Sequence, residues 1–155
     1  MKAIIMYYSR KGKVEKLAER VKKDLPNSDI LKVEPEKPYG NYIASCIRVI
    51  KERKNNIIPK AITKIPDLSV YDVILIGYPV WASDMPAFVS EFLSRCDLKE
   101  KKVIPFATFG GSEIDCTMKT LQRVCNEAEV TLPFNYGMSK KDNYEDWMSS
   151  IRKIA

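Results

Sequence analysis

Short apolar runs ending in loops, alternating with stretches whose apolar residues recur every three or four positions, constrain this chain more than anything else. The runs lie at residues 4–8, 29–33, 73–77, 103–109 and 130–132. Between the first two, Val14, Leu17, Ala18 and Val21 repeat at i, i+3, i+4 and i+7, the pattern of a helix with one buried face. A run, a helix of that kind and a second run make a βαβ unit, whose strands lie parallel. Repeated along the chain with right-handed crossovers, such units predict a three-layer α/β sandwich. Its five-stranded parallel sheet has the order 2-1-3-4-5, with helices on both faces. At 155 residues and 45% hydrophobic content, the chain holds the core of a single domain spanning 1–155.

Four further helices are expected. Asn41 can cap one whose Ile43, Cys46, Ile47 and Ile50 form a stripe, which places Cys46 in the core. Asp84 as a cap, with Pro86 in the first turn, opens another bearing Val89, Phe92, Leu93 and Cys96. A third carries Ile114, Met118, Leu121 and Cys125, and Asn143 caps a last one with Tyr144, Trp147, Met148 and Ile151. The four cysteines show neither CxxC nor zinc-ligand spacing, and Cys46, Cys96 and Cys125 fall on apolar faces, so buried reduced thiols are expected. The apolar stretch after Met1 stops at Ser9, short of a signal peptide, and no later run reaches membrane-spanning length. The expectation is a cytoplasmic protein, a monomer or a weak dimer.

Several chemistries are excluded. There is no histidine, so a Ser-His-Asp or Cys-His nucleophile and a His-ligated metal cannot be built. A phosphoacceptor domain of this topology needs carboxylates where the first and third runs end, and those ends read Tyr7-Tyr8-Ser9 and Gly77-Tyr78. Cys116 lies near a helix start, but Gln122 stands where a phosphate-cradling cysteine loop would place arginine. No GxGxxG or GxxxxGKS motif occurs. The net charge of +6 is uneven: residues 1–64 hold 16 Lys/Arg and 7 Asp/Glu, whereas residues 65–155 hold 10 and 13. Most of these charges alternate in sign along helices; only Arg10, Lys11 and Lys13 converge in a loop without carboxylates.

In an open α/β sheet the ligand sits at the carboxyl ends of the strands. Three loops meet there, after the first, third and fourth runs: Ser9 to Val14, Tyr78 to Ser83, and Thr108 to Ser112. In the first, Gly12 permits a tight turn and Ser9 offers a hydroxyl, beside the N–H groups that open the Val14 helix, which suits a phosphate monoester. Trp81 and Phe109 at the rims of the other two offer flat apolar surfaces for a ring system, although each also fits a place in the core.

Taken in order, Tyr7-Tyr8-Ser9-Arg10 with Gly12, Pro38-Tyr39, Gly77-Tyr78-Pro79-Val80-Trp81, Pro86 and Thr108-Phe109-Gly110-Gly111-Ser112 resemble the flavodoxin family. The likeness is strongest to small flavodoxin-like proteins with a Gly-Tyr-Pro-x-Trp loop. That resemblance implies noncovalent FMN. Ser9, Arg10, Lys11, Gly12, Lys13 and Val14 would surround the phosphate; Pro79, Val80, Trp81, Ala82 and Ser83 would flank one side of the isoalloxazine, and Thr108, Phe109, Gly110, Gly111 and Ser112 the other. Lys11 and Val14 stand where the family usually places hydroxyl residues, and Lys13 adds a second cation, so lysine charge can neutralise the phosphate where hydroxyl donors are missing. The implied function is a low-potential electron carrier between redox proteins. Because this chain is basic where flavodoxins are acidic, its partner is expected to be an acidic redox protein, and nucleic acid is not favoured. The alternatives are a small FMN-dependent NAD(P)H oxidoreductase acting on quinones or nitro compounds, and a flavin-free binding module.

Overall fold

The computed structural model describes residues 1–110, 113–137 and 143–155. Its strands are β1 (Ala3–Tyr7), β2 (Asp29–Lys32), β3 (Val73–Pro79), β4 (Lys102–Thr108), β5 (Glu129–Val130) and β6 (Phe134–Tyr136). The helices are α1 (Lys13–Asp24), α2 (Tyr42–Lys54), α3 (Ala87–Ser94), α4 (Met118–Val124) and α5 (Tyr144–Ile154). The sheet is parallel, in the order β2-β1-β3-β4-β5 that the alternating pattern predicts. β6 also pairs with β4, continuing the last strand beyond the expected 130–132. Pro133, which lacks an N–H, and Leu132, at a φ of 49, break the ladder between the two pieces.

Successive strand residues point to opposite faces, so the central strands feed two cores. Ile5, Tyr7, Leu75, Ile104 and Phe106 pack with α1 and α5, through Val14, Leu17, Val21, Trp147 and Ile151. Ile4, Met6, Tyr8, Ile74, Ile76 and Tyr78 pack with α3 and α4, through Phe88, Phe92 and Leu121. Gly77 sits where a Cβ would collide with the ring of Phe106, which explains the glycine in an otherwise continuous apolar run.

Several expectations are corrected. The Ile43, Cys46, Ile47 and Ile50 stripe faces solvent: the isoleucines are 71%, 50% and 61% exposed at positions 43, 47 and 50, and Cys46 is exposed as well. α2 turns its polar side inward instead. Ser45 is its one buried residue, its hydroxyl donating to the Gly40 carbonyl, and Arg48 pairs with Glu52 at 2.6 Å while lying over the ring of Tyr39. The ties to the 37–40 loop outweigh the stripe: Arg48 donates to the Lys37 and Pro38 carbonyls, Glu52 accepts from the Tyr39 hydroxyl, and these bonds, with that of Ser45, would be lost if the helix rolled over. Nor is Asp84 the cap of α3, which begins at Ala87 after Pro86. Among the remaining cysteines, Cys125 is buried, Cys96 half-buried and Cys116 exposed, and all four are free thiols. Asn143 precedes α5 but makes no side-chain cap.

Candidate functional site at the carboxyl edge of the sheet

The chain leaves β1 through Ser9, whose buried Oγ accepts a hydrogen bond from the Gly12 N–H at 2.9 Å. That bond closes a tight turn, and Gly12, at a φ of 92, takes the left-handed conformation glycine tolerates best. α1 begins at once, and among the described residues no side chain caps it. Its first N–H groups and the positive end of its dipole are therefore open to an anion. Lys11 and Lys13 are exposed at the same end, and Arg10, reaching toward the Gly40 carbonyl, lies 5.8 Å from the Tyr42 ring centroid.

After β3 the backbone turns sharply. Trp81 and Asp84 exchange both backbone hydrogen bonds, at 2.7 and 3.0 Å, and the two residues between them, Ala82 and Ser83, have φ values of 46 and 62. This is the two-residue hairpin turn that glycine and asparagine usually occupy, so each non-glycine residue there costs roughly 1 kcal/mol. The turn is held from both sides. The Asp84 carboxylate accepts from the Met85 N–H and the Thr120 hydroxyl, each at 2.8 Å, and Arg53 of α2 donates to the Ala82 and Trp81 carbonyls at 2.6 and 3.1 Å. Asp84 thus anchors the loop rather than a helix. Trp81 is fixed by the edges of Tyr8 and Tyr39, with centroids 5.4 and 4.8 Å away. Burial pushes the Tyr8 hydroxyl up to about 12, so it stays neutral beside the indole.

The third loop follows β4. Val80 N–H donates to the Thr108 carbonyl at 2.9 Å, which ties the second and third loops together. Phe109 lies against Gly137, where any side chain would strike its ring. Gly111 and Ser112 lie outside the described residues.

These elements enclose a groove of about 290 Å³ lined by Ser9, Arg10, Lys11, Lys13, Val14, Tyr42, Pro79, Val80, Trp81, Thr108, Phe109 and Gly110. The described lining thus joins all three predicted loops and carries three cations and no carboxylate. Of the predicted residues that are described, Gly12 and the exposed Ala82 and Ser83 do not line the groove. A larger groove of about 370 Å³ lies on the other side of Phe109, toward Lys16, Arg20 and Tyr136; it shares Lys13, Thr108 and Phe109 with the first but takes in nothing of the Trp81 loop. Tyr42 and Arg53 were not singled out by sequence. Tyr42 directly follows a recognisable cap at Asn41, which could have flagged it; Arg53 carried no signal, being one cation among several at a helix end. Cys116 takes no part: its exposed thiol donates to the Glu113 carbonyl, and burial of its surroundings raises rather than lowers its pKa.

Among the described residues no helix is long and apolar enough to cross a membrane, and no cluster of His, Cys, Asp or Glu could hold a metal. Comparison with known proteins bears on the whole architecture. A Bacteroides eggerthii protein, solved as a candidate flavoprotein, is 24% identical, covers 99% of this chain and 96% of its own, and superimposes with a TM-score of 0.76. A Lactobacillus acidophilus flavoprotein solved in complex with FMN is 21% identical over 86% of this chain and 91% of that one, with a TM-score of 0.73. Two-electron-reduced Megasphaera elsdenii flavodoxin is 18% identical over 94% and 93%, with a TM-score of 0.62. No curated protein sequence matches. The flavodoxin family profile matches residues 2–151, and with the sheet order and the three-loop edge described above, the chain belongs to the flavodoxin family.

Proposed function

We propose that this protein binds FMN without a covalent bond and carries electrons between redox proteins, with an acidic protein as its partner. The observation that carries the reading is the groove itself. It sets the uncapped start of α1 with Arg10, Lys11 and Lys13 at one end, Trp81 and Tyr42 along one wall and Phe109 along the other. That donor set fits a phosphorylated aromatic cofactor: a dianionic phosphate meets open N–H groups and cations, and a flat ring meets aromatic walls. In this reading Ser9 to Val14 hold the phosphate, while Pro79 to Ser83 and Thr108 to Gly110, continuing to Gly111 and Ser112, flank the ring. The bound flavin supplies the redox chemistry. The chain's own residues bind, orient and shield it.

Carrier work is favoured over catalysis on a small substrate because, among the described residues, the two carboxylates near these loops are already engaged in hydrogen bonds. The chain has no histidine. The Asp84 carboxylate is engaged by Met85 and Thr120, and Glu113 accepts from the Asn135 amide at 3.5 Å. A titration of the purified protein with FMN and with riboflavin tests the proposal. FMN is expected to bind at least tenfold more tightly, with a shifted visible spectrum and quenched flavin fluorescence. Equal affinity for riboflavin would remove the phosphate argument; absence of any flavin binding would leave a flavin-free module. Rapid NADPH oxidation by the loaded protein with small quinones would replace the carrier by an oxidoreductase.

A further inference from the structure

α2 is amphipathic with its apolar stripe on the outside. Ile43, Ile47 and Ile50 lie at successive spacings of four and three residues, which puts them on one line along the helix. All three are at least half exposed. Between the helix and the aromatic turn runs a groove of about 220 Å³, walled by Tyr42, Val49 and Ile50 on one side and by Val80 and Trp81 on the other. Exposed apolar surface gathered in one place marks an interaction site more often than chance does. Cations bracket the stripe. Lys51 and Lys54, one helical turn beyond Ile47 and Ile50, are exposed at its C-terminal end, and Arg10 sits beside Tyr42 at the other.

We propose that this face of α2 is the docking surface for an amphipathic helix of a partner protein whose apolar seam is flanked by carboxylates. Spacings of four and three suit a helix laid alongside, each isoleucine filling a hole between facing side chains. Charge selects the occupant. Two copies of this chain pairing antiparallel through α2 would bring Lys51 and Lys54 of one against Arg10 of the other, cation on cation. An acidic helix instead meets an attractive rim at both ends. The groove shares Arg10, Tyr42, Val80 and Trp81 with the proposed flavin site, so a docked partner would lie beside the Trp81 side of that site. The contacts do not depend on the flavin; their use for electron exchange rests on the function proposed above.

The probe is a three-heptad peptide with Leu at the seam and Glu flanking it, with a matched peptide carrying Lys in place of Glu. Both are titrated into FMN-loaded protein with isotope-labelled isoleucine methyl groups. The acidic peptide is expected to bind at least tenfold more tightly than the basic one and to shift the Ile43, Ile47 and Ile50 methyl signals. The double variant Ile47→Ser/Ile50→Ser should weaken it at least tenfold while helix content and FMN absorbance stay unchanged, because both side chains already face water. Lys51→Glu/Lys54→Glu should reverse the preference between the peptides. Equal binding of the two peptides, or no methyl shifts at millimolar peptide, overturns the proposal. So does a concentration-dependent dimer in sedimentation that Ile47→Ser/Ile50→Ser abolishes, since a second copy would then cover the face. The FMN titration on the same samples scores the cofactor separately: lost flavin binding with intact peptide binding supports the docking surface and rejects only the flavin reading.

Discussion

α1 and α2 carry the same kind of sequence signal and meet opposite fates. In α1 the residues at i, i+3, i+4 and i+7, Val14, Leu17, Ala18 and Val21, are all buried against the sheet. In α2 the stripe of Ile43, Ile47 and Ile50 is turned to solvent and a serine is buried instead. Their starts are opposite too. α1 opens at Gly12 with no side-chain cap, whereas Asn41 caps α2 by accepting from the Ala44 N–H at 2.9 Å. One helix buries its apolar face and leaves its end open for an anion; the other closes its end and leaves its apolar face open. Periodicity therefore establishes that a helix has a stripe, and neighbouring polar contacts decide which way the stripe points.

Buried phenols lie on both faces of the sheet, Tyr7 and Tyr144 on the side of α1 and Tyr8, Tyr39 and Tyr78 on the other, and alkaline pH is expected to produce the largest effect. Burial pushes the Tyr8 hydroxyl from its ordinary 10.0 up to about 12, and burial likewise raises Tyr7, Tyr39, Tyr78 and Tyr144. A raised folded value means the neutral phenol is what the fold stabilises. That contribution is complete below pH 10 and is lost as pH rises toward 12, by about 1.4 kcal/mol per group per unit. Helix content and tyrosine absorbance near 295 nm should change together in one cooperative step; gradual ionisation with helix content intact would show the rings to be accessible.

Leu17→Ala should cost about 2 to 5 kcal/mol in chemical denaturation because it opens a cavity beside β1 and β3, whereas Ile47→Ala should stay within about 0.5 kcal/mol. Similar costs for the two would mean that the α2 stripe is packed after all. At the open end of α1, Lys11→Ala/Lys13→Ala is expected to weaken FMN binding by about 1.5 to 3 kcal/mol, the loss of charge-assisted bonds, while Lys51→Ala/Lys54→Ala leaves the affinity within threefold. Equal losses from the two pairs would point to a diffuse field rather than a built phosphate site. The smallest effect belongs to the closed end of α2: Asn41→Ala should cost about 1 kcal/mol of stability and leave FMN affinity unchanged.

Much of the candidate groove's lining was legible. Arg10, Lys11 and Lys13, Trp81 and Phe109 were readable as loop residues after apolar runs, and the groove brings them together. What escaped depends on long-range pairing. Arg53 reaches the Trp81 and Ala82 carbonyls across 28 and 29 residues, and Asp84 is taken from its expected capping role by Thr120, 36 residues away. Tyr39 stands in the Pro38-Tyr39 segment that the resemblance marks, but its packing against Trp81 appears only in the fold.

By itself, the sequence determined the alternation of strand and helix, the sheet order that right-handed crossovers impose, and the positions of the three loops, because each follows from local periodicity and from chain connectivity. Only the tertiary structure decided which face of α2 meets water, how Asp84 and Arg53 hold a turn without glycine, and where the last strand breaks and resumes. In those places several local preferences compete, and the partner that satisfies a buried hydroxyl, a carbonyl or a guanidinium is known only once distant segments have met.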